Sequence, residues 1–292
     1  MSWRTIVVTG ITKLELKLGY LVVRGETTTR ISLSEVDTIL VESTTVSLTT
    51  GLILELSRRK IKLIFCDEKH NPFAELIDYY GSVDSSLRIR EQIDWPDKIK
   101  TAVWTSIVRA KLSRQRDLLL EKEKTEAAGL LDSYLNDLLP GDPSNREGHA
   151  AKVYFNALFG QGFSREQESP TNAALNYGYS ILLSTFNKEI TSRGYLTQLG
   201  LFHSNQFNPF NLSSDLMEPF RPLVDRQVLA LELVELTPDA KHVLVDILNQ
   251  TVMIEEKQQR VSQAIAIYCS SIFRAILNQD VGQTSHYQWS DS

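Results

Sequence analysis

The sequence predicts an α+β protein, with a small N-terminal β-rich domain followed by a larger all-α domain. Three observations carry this. Over residues 3–80 the hydrophobic period is mostly two. Residues 81–97 are polar, open with Gly81-Ser-Val-Asp-Ser-Ser and close on Trp95-Pro96-Asp97. From residue 98 onward apolar positions recur at helical spacing. The expected organisation is a β domain at 1–80 that serves packing or dimerisation, a linker at 81–97 and an α-helical domain at 98–292.

Within the first part, Ile6-Val7-Val8 is a short apolar run and Lys13-Leu-Glu-Leu-Lys-Leu18 alternates charge with leucine. Gly19 can turn the chain, and Tyr20-Leu-Val-Val-Arg24 returns as a hairpin partner. Arg30-Ile-Ser-Leu33 and Thr38-Ile-Leu-Val41 read as further strands, and 52–59 as a helix with Leu52, Ile53 and Leu56 inward. Ile61-Lys-Leu-Ile-Phe-Cys66 is nearly all apolar, as a buried strand requires. A last strand is expected at 73–79.

The second part begins with a long helix at 98–124, basic in its early polar positions (Lys98, Lys100, Arg109, Lys111, Arg114, Arg116). Such a stripe is either a solvated face or a track for phosphates. Helix continues at 129–139, breaks at Pro140-Gly-Asp-Pro143, and resumes with Ser144 as N-cap and Glu147 at the third position, a capping box. Residues 173–193 form the next helix, with Asn172, Asn176 and Tyr179 or Ser180 on one polar side. His203 falls in a turn region. Helices are expected at 225–236, 238–250 and 255–277, before a polar tail that frays from 278.

Composition narrows the class. The chain has 292 residues, 42% hydrophobic and 23% charged, as a soluble protein with a real core has. A net charge of −5 excludes a uniformly basic coat but permits a local basic groove. Cys66 and Cys269 suggest neither a disulfide framework nor a zinc site and fit a reducing cytoplasm. No signal peptide and no run of about 18 apolar residues is visible, so the expectation is a cytoplasmic protein with no membrane partner.

One stretch holds the strongest chemical signal: Asn211-Leu-Ser-Ser-Asp215-Leu-Met-Glu218-Pro-Phe-Arg221-Pro222. On a helix, Asp215, Glu218 and Arg221 or Pro222 share a face. Paired acids beside a cation suit a divalent metal that must meet a phosphate. Asp-x-x-Glu is also a capping box, although Pro219 fits that register poorly. Glu147 alone reads as a cap, and His203 alone as an ordinary loop residue.

Taken together, these pieces resemble one family. The β-strand start, Asn145-Arg-Glu147-Gly-His-Ala-Ala-Lys-Val-Tyr-Phe, Asn172-Ala-Ala-Leu-Asn-Tyr-Gly-Tyr, Gly200-Leu-Phe-His203 and Asp215-Leu-Met-Glu218-Pro-Phe-Arg221-Pro222 match it in order over nearly the whole chain. The chain resembles the CRISPR-associated integrase, the endonuclease of spacer acquisition, and within it the type II branch. No single piece is specific; the set is.

The resemblance implies that the α domain is catalytic, with Glu147, His203 and Glu218 as catalytic metal ligands and Asp215 in support. Oxygen-rich ligation suits Mg²⁺ or Mn²⁺, and the imidazole leans toward Mn²⁺. Arg221 would face DNA phosphate, with Arg146 and Lys152 near the ligands in sequence and Arg88, Arg109 and Arg114 further off. The implied reaction joins the 3′-hydroxyl ends of a short duplex, the prespacer, into the CRISPR repeat. Implied partners are double-stranded DNA, a second copy of the chain, a second small adaptation protein completing a heterohexamer, and the type II effector nuclease with an accessory adaptation protein. Two readings compete: a metal-dependent nuclease that hydrolyses without joining, and a non-catalytic nucleic-acid scaffold.

Overall fold

The structure is a computed structural model that describes residues 4–78 and 82–290. Trp3, Tyr79, Tyr80 and Gly81, touched by the expected first domain, last strand and linker, lie outside the described residues. The chain divides into two compact units, one of residues 1–85 with 191–194 and one of 86–190 with 195–292.

The first unit is built on two four-stranded sheets. Its strands are β1 (Arg4–Val8), β2 (Lys13–Lys17), β3 (Tyr20–Arg24), β4 (Thr28–Ser32), β5 (Val36–Val41) and β6 (Ser47–Leu48), then helix α1 (Thr50–Arg58), β7 (Lys62–Cys66) and β8 (Pro72–Glu75). One sheet has the order β1-β5-β7-β8, the other β4-β3-β2-β6. β1, β5 and β7 run parallel and β8 antiparallel. The β2–β3 hairpin turns at Leu18 (φ 51°) and Gly19 (φ 79°), a left-handed pair whose twist matches that of the strands. Alternation in β2 buries Leu14, which joins Leu21, Ile39, Leu52, Leu56 and Leu63 in the core.

The second unit is mostly helical. α2 (Ser85–Ile93) occupies most of the segment expected as a linker. α3 (Asp97–Glu121) follows, then α4 (Thr125–Asn136), α5 (Arg146–Phe159), α6 (Pro170–Thr191), α7 (Asn211–Met217), a 3-10 turn (Glu218–Phe220), α8 (Arg221–Leu231) and α9 (Pro238–Val245). α3 is buried on more than one side, at Val103, Trp104, Ile107, Val108, Leu112, Leu118 and Leu119, because α4, α5, α8 and the 3-10 turn all pack on it.

The expected helix at 255–277 starts late. Residues Thr251–Ile254 (β9) and Lys257–Arg260 (β10) form an antiparallel hairpin, and only then does α10 (Val261–Leu277) begin. Glu255 (φ 49°) and Glu256 (φ 61°) make the turn in the left-handed region without glycine or asparagine to announce it. Through Ser290 the tail is not frayed; Asp291 and Ser292 lie outside the described residues. Gln288–Trp289 (β11) pairs with β9, and Tyr287 is 1% exposed. Burial of an aromatic ring and two ladder positions hold what polarity alone assigns to solvent.

Candidate metal and phosphate site

The stretch 211–222 forms the floor of the site. α7, the 3-10 turn and α8 run on as one nearly continuous helical rod. Pro219 has no N–H to give to the carbonyl four residues back, so the rod tightens to 3-10 geometry where it passes Glu218. Asp215 lies inside α7, whose N-cap is Phe210, so the capping-box reading does not hold. Beneath the turn, Phe220 is fully buried among Phe186, Tyr268 and Tyr287, with ring centroids 5.4, 5.3 and 4.8 Å away.

α5 brings Glu147. Its N-cap is Asn145 rather than Ser144, in the left-handed region at φ 51° and accepting from the Gly148 N–H. Asp142 accepts the N–H groups of Arg146 (2.8 Å) and Glu147 (2.9 Å). Backbone donors at this helix start are thus satisfied by other residues, and the Glu147 side chain turns to Lys111, whose Nζ lies 2.6 Å from its Oε1.

The same ammonium lies 2.5 Å from Glu218 Oε2, while Arg221 Nε donates to Glu218 Oε1 at 2.8 Å. Glu218 and Lys111 are nearly buried, with 7% and 10% of their side chains exposed. Burial pushes the Glu218 carboxyl up, but the charges and hydrogen bonds of Arg221 and Lys111 outweigh it and hold it well below the usual carboxylate range. Burial likewise opposes the charge on Lys111, and Glu218 and Glu147 overcome it, keeping the amine above its ordinary value.

His203 enters on the turn that follows α6. Gln92 and Asn211 pin this turn. Gln92 donates to the Leu196 and Leu199 carbonyls and accepts the Leu196 N–H. The Asn211 amide donates to the carbonyls of Gln198, Asn205 and Asn208. The fully buried Asp215 carboxylate gathers the N–H groups of Leu201 (2.6 Å), Phe202 (3.0 Å) and His203 (3.2 Å). It also meets His203 Nδ1 in a short hydrogen bond. That bond, with the negative charges of Asp215, Glu218 and Glu147, raises the imidazole pKa against the opposing effect of burial. Trp104 stacks on Phe202 at 4.6 Å and meets the His203 ring edge-on at 5.6 Å. Trp104 and Lys111 are seven residues apart, two turns along one face of α3.

Glu147 and Glu218 therefore share one ammonium, and His203 senses both carboxylates. Among the described residues no three His, Cys, Asp or Glu side chains form a ready-made metal cage, since Lys111 stands between the acids. The donor set nevertheless fits a divalent ion. Two carboxylates are already drawn onto one cation, and an imidazole with Nδ1 fixed by Asp215 keeps Nε2 for ligation.

The basic residues spread more widely. Arg221 sits with its guanidinium 4.6 Å from the Tyr179 ring centroid. Arg146, at the start of α5, pairs with Asp137 and lies over Tyr134. Lys152 is exposed on α5, in a cavity of about 730 Å³ that it shares with Lys124 and Asn156. Arg88 pairs with Glu91, Arg109 donates to the Leu135 carbonyl, and Arg114 pairs with Asp117 beside the Tyr287 ring. Asn172 and Asn176, the polar side of α6, both accept from Arg165.

Residues 6–265 match the family described as CRISPR associated protein Cas1. The chain belongs to the Cas1 family. It is 32% identical to the CRISPR-associated endonuclease Cas1 of Neisseria meningitidis serogroup C (strain 8013) over 290 residues, 97% of this chain and 95% of the relative. It is 28% identical to CRISPR-associated endonuclease Cas1 1 of Francisella tularensis subsp. novicida (strain U112), over 75% of both chains. The Cas1 fold recurs in a casposase bound to integration product, with a TM-score of 0.76 at 19% identity over 96% of this chain and 93% of that one. It recurs also in a Cas6-RT-Cas1--Cas2 complex, with a TM-score of 0.74 at 18% identity over 99% of this chain and 36% of that chain.

Proposed function

We propose that this Cas1 family member is a divalent-metal-dependent DNA integrase that joins the 3′-hydroxyl ends of a short duplex into the CRISPR repeat by transesterification. The observation that carries this is the meeting of Glu147 and Glu218 on one cation beside the His203–Asp215 pair. The family match supports the same reading, as does the likeness to a casposase bound to integration product.

In this reading Glu147, Glu218 and His203 Nε2 would hold Mg²⁺ or Mn²⁺. Bound there, the ion would supply Lewis acidity for phosphodiester transesterification. The protein's own residues do the rest. Asp215 fixes the imidazole tautomer and orientation. Arg221, held by Glu218 and the Tyr179 face, presents its remaining N–H groups to the phosphate that gains negative charge. Arg146, Lys152, Arg88, Arg109 and Arg114 offset the repulsion between the acids and DNA. No side chain attacks covalently, because the incoming DNA end brings the nucleophile.

The protein works as a homodimer with a second small adaptation protein, in a heterohexamer; the fold likeness to a Cas6-RT-Cas1--Cas2 complex supports the small partner. The type II effector nuclease and an accessory adaptation protein are its further partners in spacer acquisition, and its compartment is the cytoplasm. Among the described residues no helix is long and apolar enough to cross a membrane.

A labelled short duplex incubated with repeat-containing DNA, Mn²⁺ and the small partner tests the reaction. Covalent joining is expected, and its loss in Glu147→Ala, His203→Ala and Glu218→Ala with the fold retained. Cutting without joining would make the protein a hydrolytic nuclease. Absence of calorimetric Mn²⁺ binding would leave a scaffold.

A further inference from the structure

Lys111 stands where a cation has to stand. Glu147 Oε1 and Glu218 Oε2 both face its Nζ, and the other oxygen of Glu218 is held by Arg221. Every Glu218 oxygen is thus engaged by a positive group, in a site with 7% of that side chain exposed. A divalent ion such as Mg²⁺ binds carboxylate oxygen at roughly 2.0–2.1 Å. It cannot share that oxygen with an ammonium without strong like-charge repulsion in a medium of low dielectric. One of the two cations must leave.

The geometry selects which. Arg221 is anchored twice, by Glu218 Oε1 and by the Tyr179 ring, and Asp225 holds that ring's hydroxyl. Among the described residues, the two carboxylates alone hold the Lys111 ammonium, on a flexible four-carbon stem. Charge favours the release of a cation without choosing between the two, and the anchoring of Arg221 makes the choice. Glu147 and Glu218 balance Lys111 and Arg221, and adding a divalent ion without releasing a cation would leave two uncompensated positive charges in a buried place.

We infer that Lys111 is a resident counterion that holds Glu147 and Glu218 together in the metal-free protein and is displaced by the divalent ion, so that metal loading is a cation exchange. The inference rests on the reading of Glu147 and Glu218 as metal ligands. Lys111 is a positioning residue. It keeps two buried carboxylates convergent when no metal is bound, at the cost of competing with the metal.

The test uses the full chain. Mn²⁺ is titrated calorimetrically into the wild type, Lys111→Met and Glu218→Gln. Lys111→Met keeps the stem volume and removes the competing charge, so it is expected to bind Mn²⁺ about tenfold or more tightly, to melt lower than the wild type without metal, and to gain more in Tm when Mn²⁺ is added. Should Lys111→Met not fold, the wild type answers alone. Acetylation of Lys111 by a water-soluble N-hydroxysuccinimide ester, read by mass spectrometry, is expected to be slow without metal and at least several-fold faster at saturating Mn²⁺. Mn²⁺ binding that Glu218→Gln abolishes but Lys111→Met leaves within twofold, or labelling unchanged at saturation, overturns the exchange and spares the metal site. No Mn²⁺ uptake by the wild type overturns both.

Discussion

Asp215 and His203 are joined twice, through the His203 N–H at 3.2 Å and through Nδ1, both onto Asp215 Oδ1. The carboxylate thereby fixes the backbone that carries the imidazole and the ring itself. Asp215→Asn replaces an acceptor with a donor facing these N–H groups. Mn²⁺ affinity is expected to fall about 10- to 100-fold, with strand transfer falling in parallel. Unchanged affinity in calorimetry would show that His203 needs no such partner.

Gly200 serves the same turn. A Cβ there would stand 2.3 Å from the His203 carbonyl oxygen and 2.8 Å from Asp215 Oδ2. Neither can yield, since one is backbone and the other is buried. Gly200→Ala should cost about 1–3 kcal/mol of stability in denaturant titration and should weaken Mn²⁺ binding as the turn is pushed off Asp215. A variant as stable as the wild type with the same affinity would contradict the close approach.

Asp225 gives a pH signature. It is fully buried, accepts from Tyr154 at 2.9 Å and from Tyr179, and burial pushes its pKa up to about 6 against the lowering effect of those hydrogen bonds. A folded value raised above the ordinary 3.8 means that its contribution is fully present below about pH 4 and is lost as pH rises through 6. The gap corresponds to about 3 kcal/mol. Wild-type stability minus that of Asp225→Asn should therefore fall by about this amount between pH 4 and 7. A difference independent of pH would rule out the raised value.

Tyr287 separates packing from polarity. Its ring lies against Phe220 beneath the turn between Glu218 and Arg221, and its buried hydroxyl has no hydrogen-bond partner among the described residues. Tyr287→Ala should cost about 3–5 kcal/mol, whereas Tyr287→Phe should cost less than about 1 kcal/mol. Chemical denaturation of both variants decides it; equal losses would show that the hydroxyl matters.

Much of this was legible in the residues, for definite reasons. Period-two alternation around Leu14 and the glycine at 19 located the first hairpin, because sheet burial and turn chemistry are local, although Leu18, expected in the strand, belongs to the turn. The α+β class followed from the change of period. The hairpin at 251–260 was hidden because its turn uses two glutamates at positive φ, supported by pairing with β11 far along the chain. Glu147 looked like a cap because spacing cannot show that Asp142 takes that duty. Lys111 was one more basic residue in a helix stripe, since nothing nearby in sequence reveals that Glu147 and Glu218 close over it from two other elements.

The packing of Tyr287 under Phe220 has a consequence for the order of assembly. A ribosome finishes the segment bearing Glu218 well before residue 287 is made, so the rod reaches its braced geometry only after the segment bearing Tyr287 has been translated. A nascent chain stalled between the two would hold every proposed ligand and still lack the support beneath them.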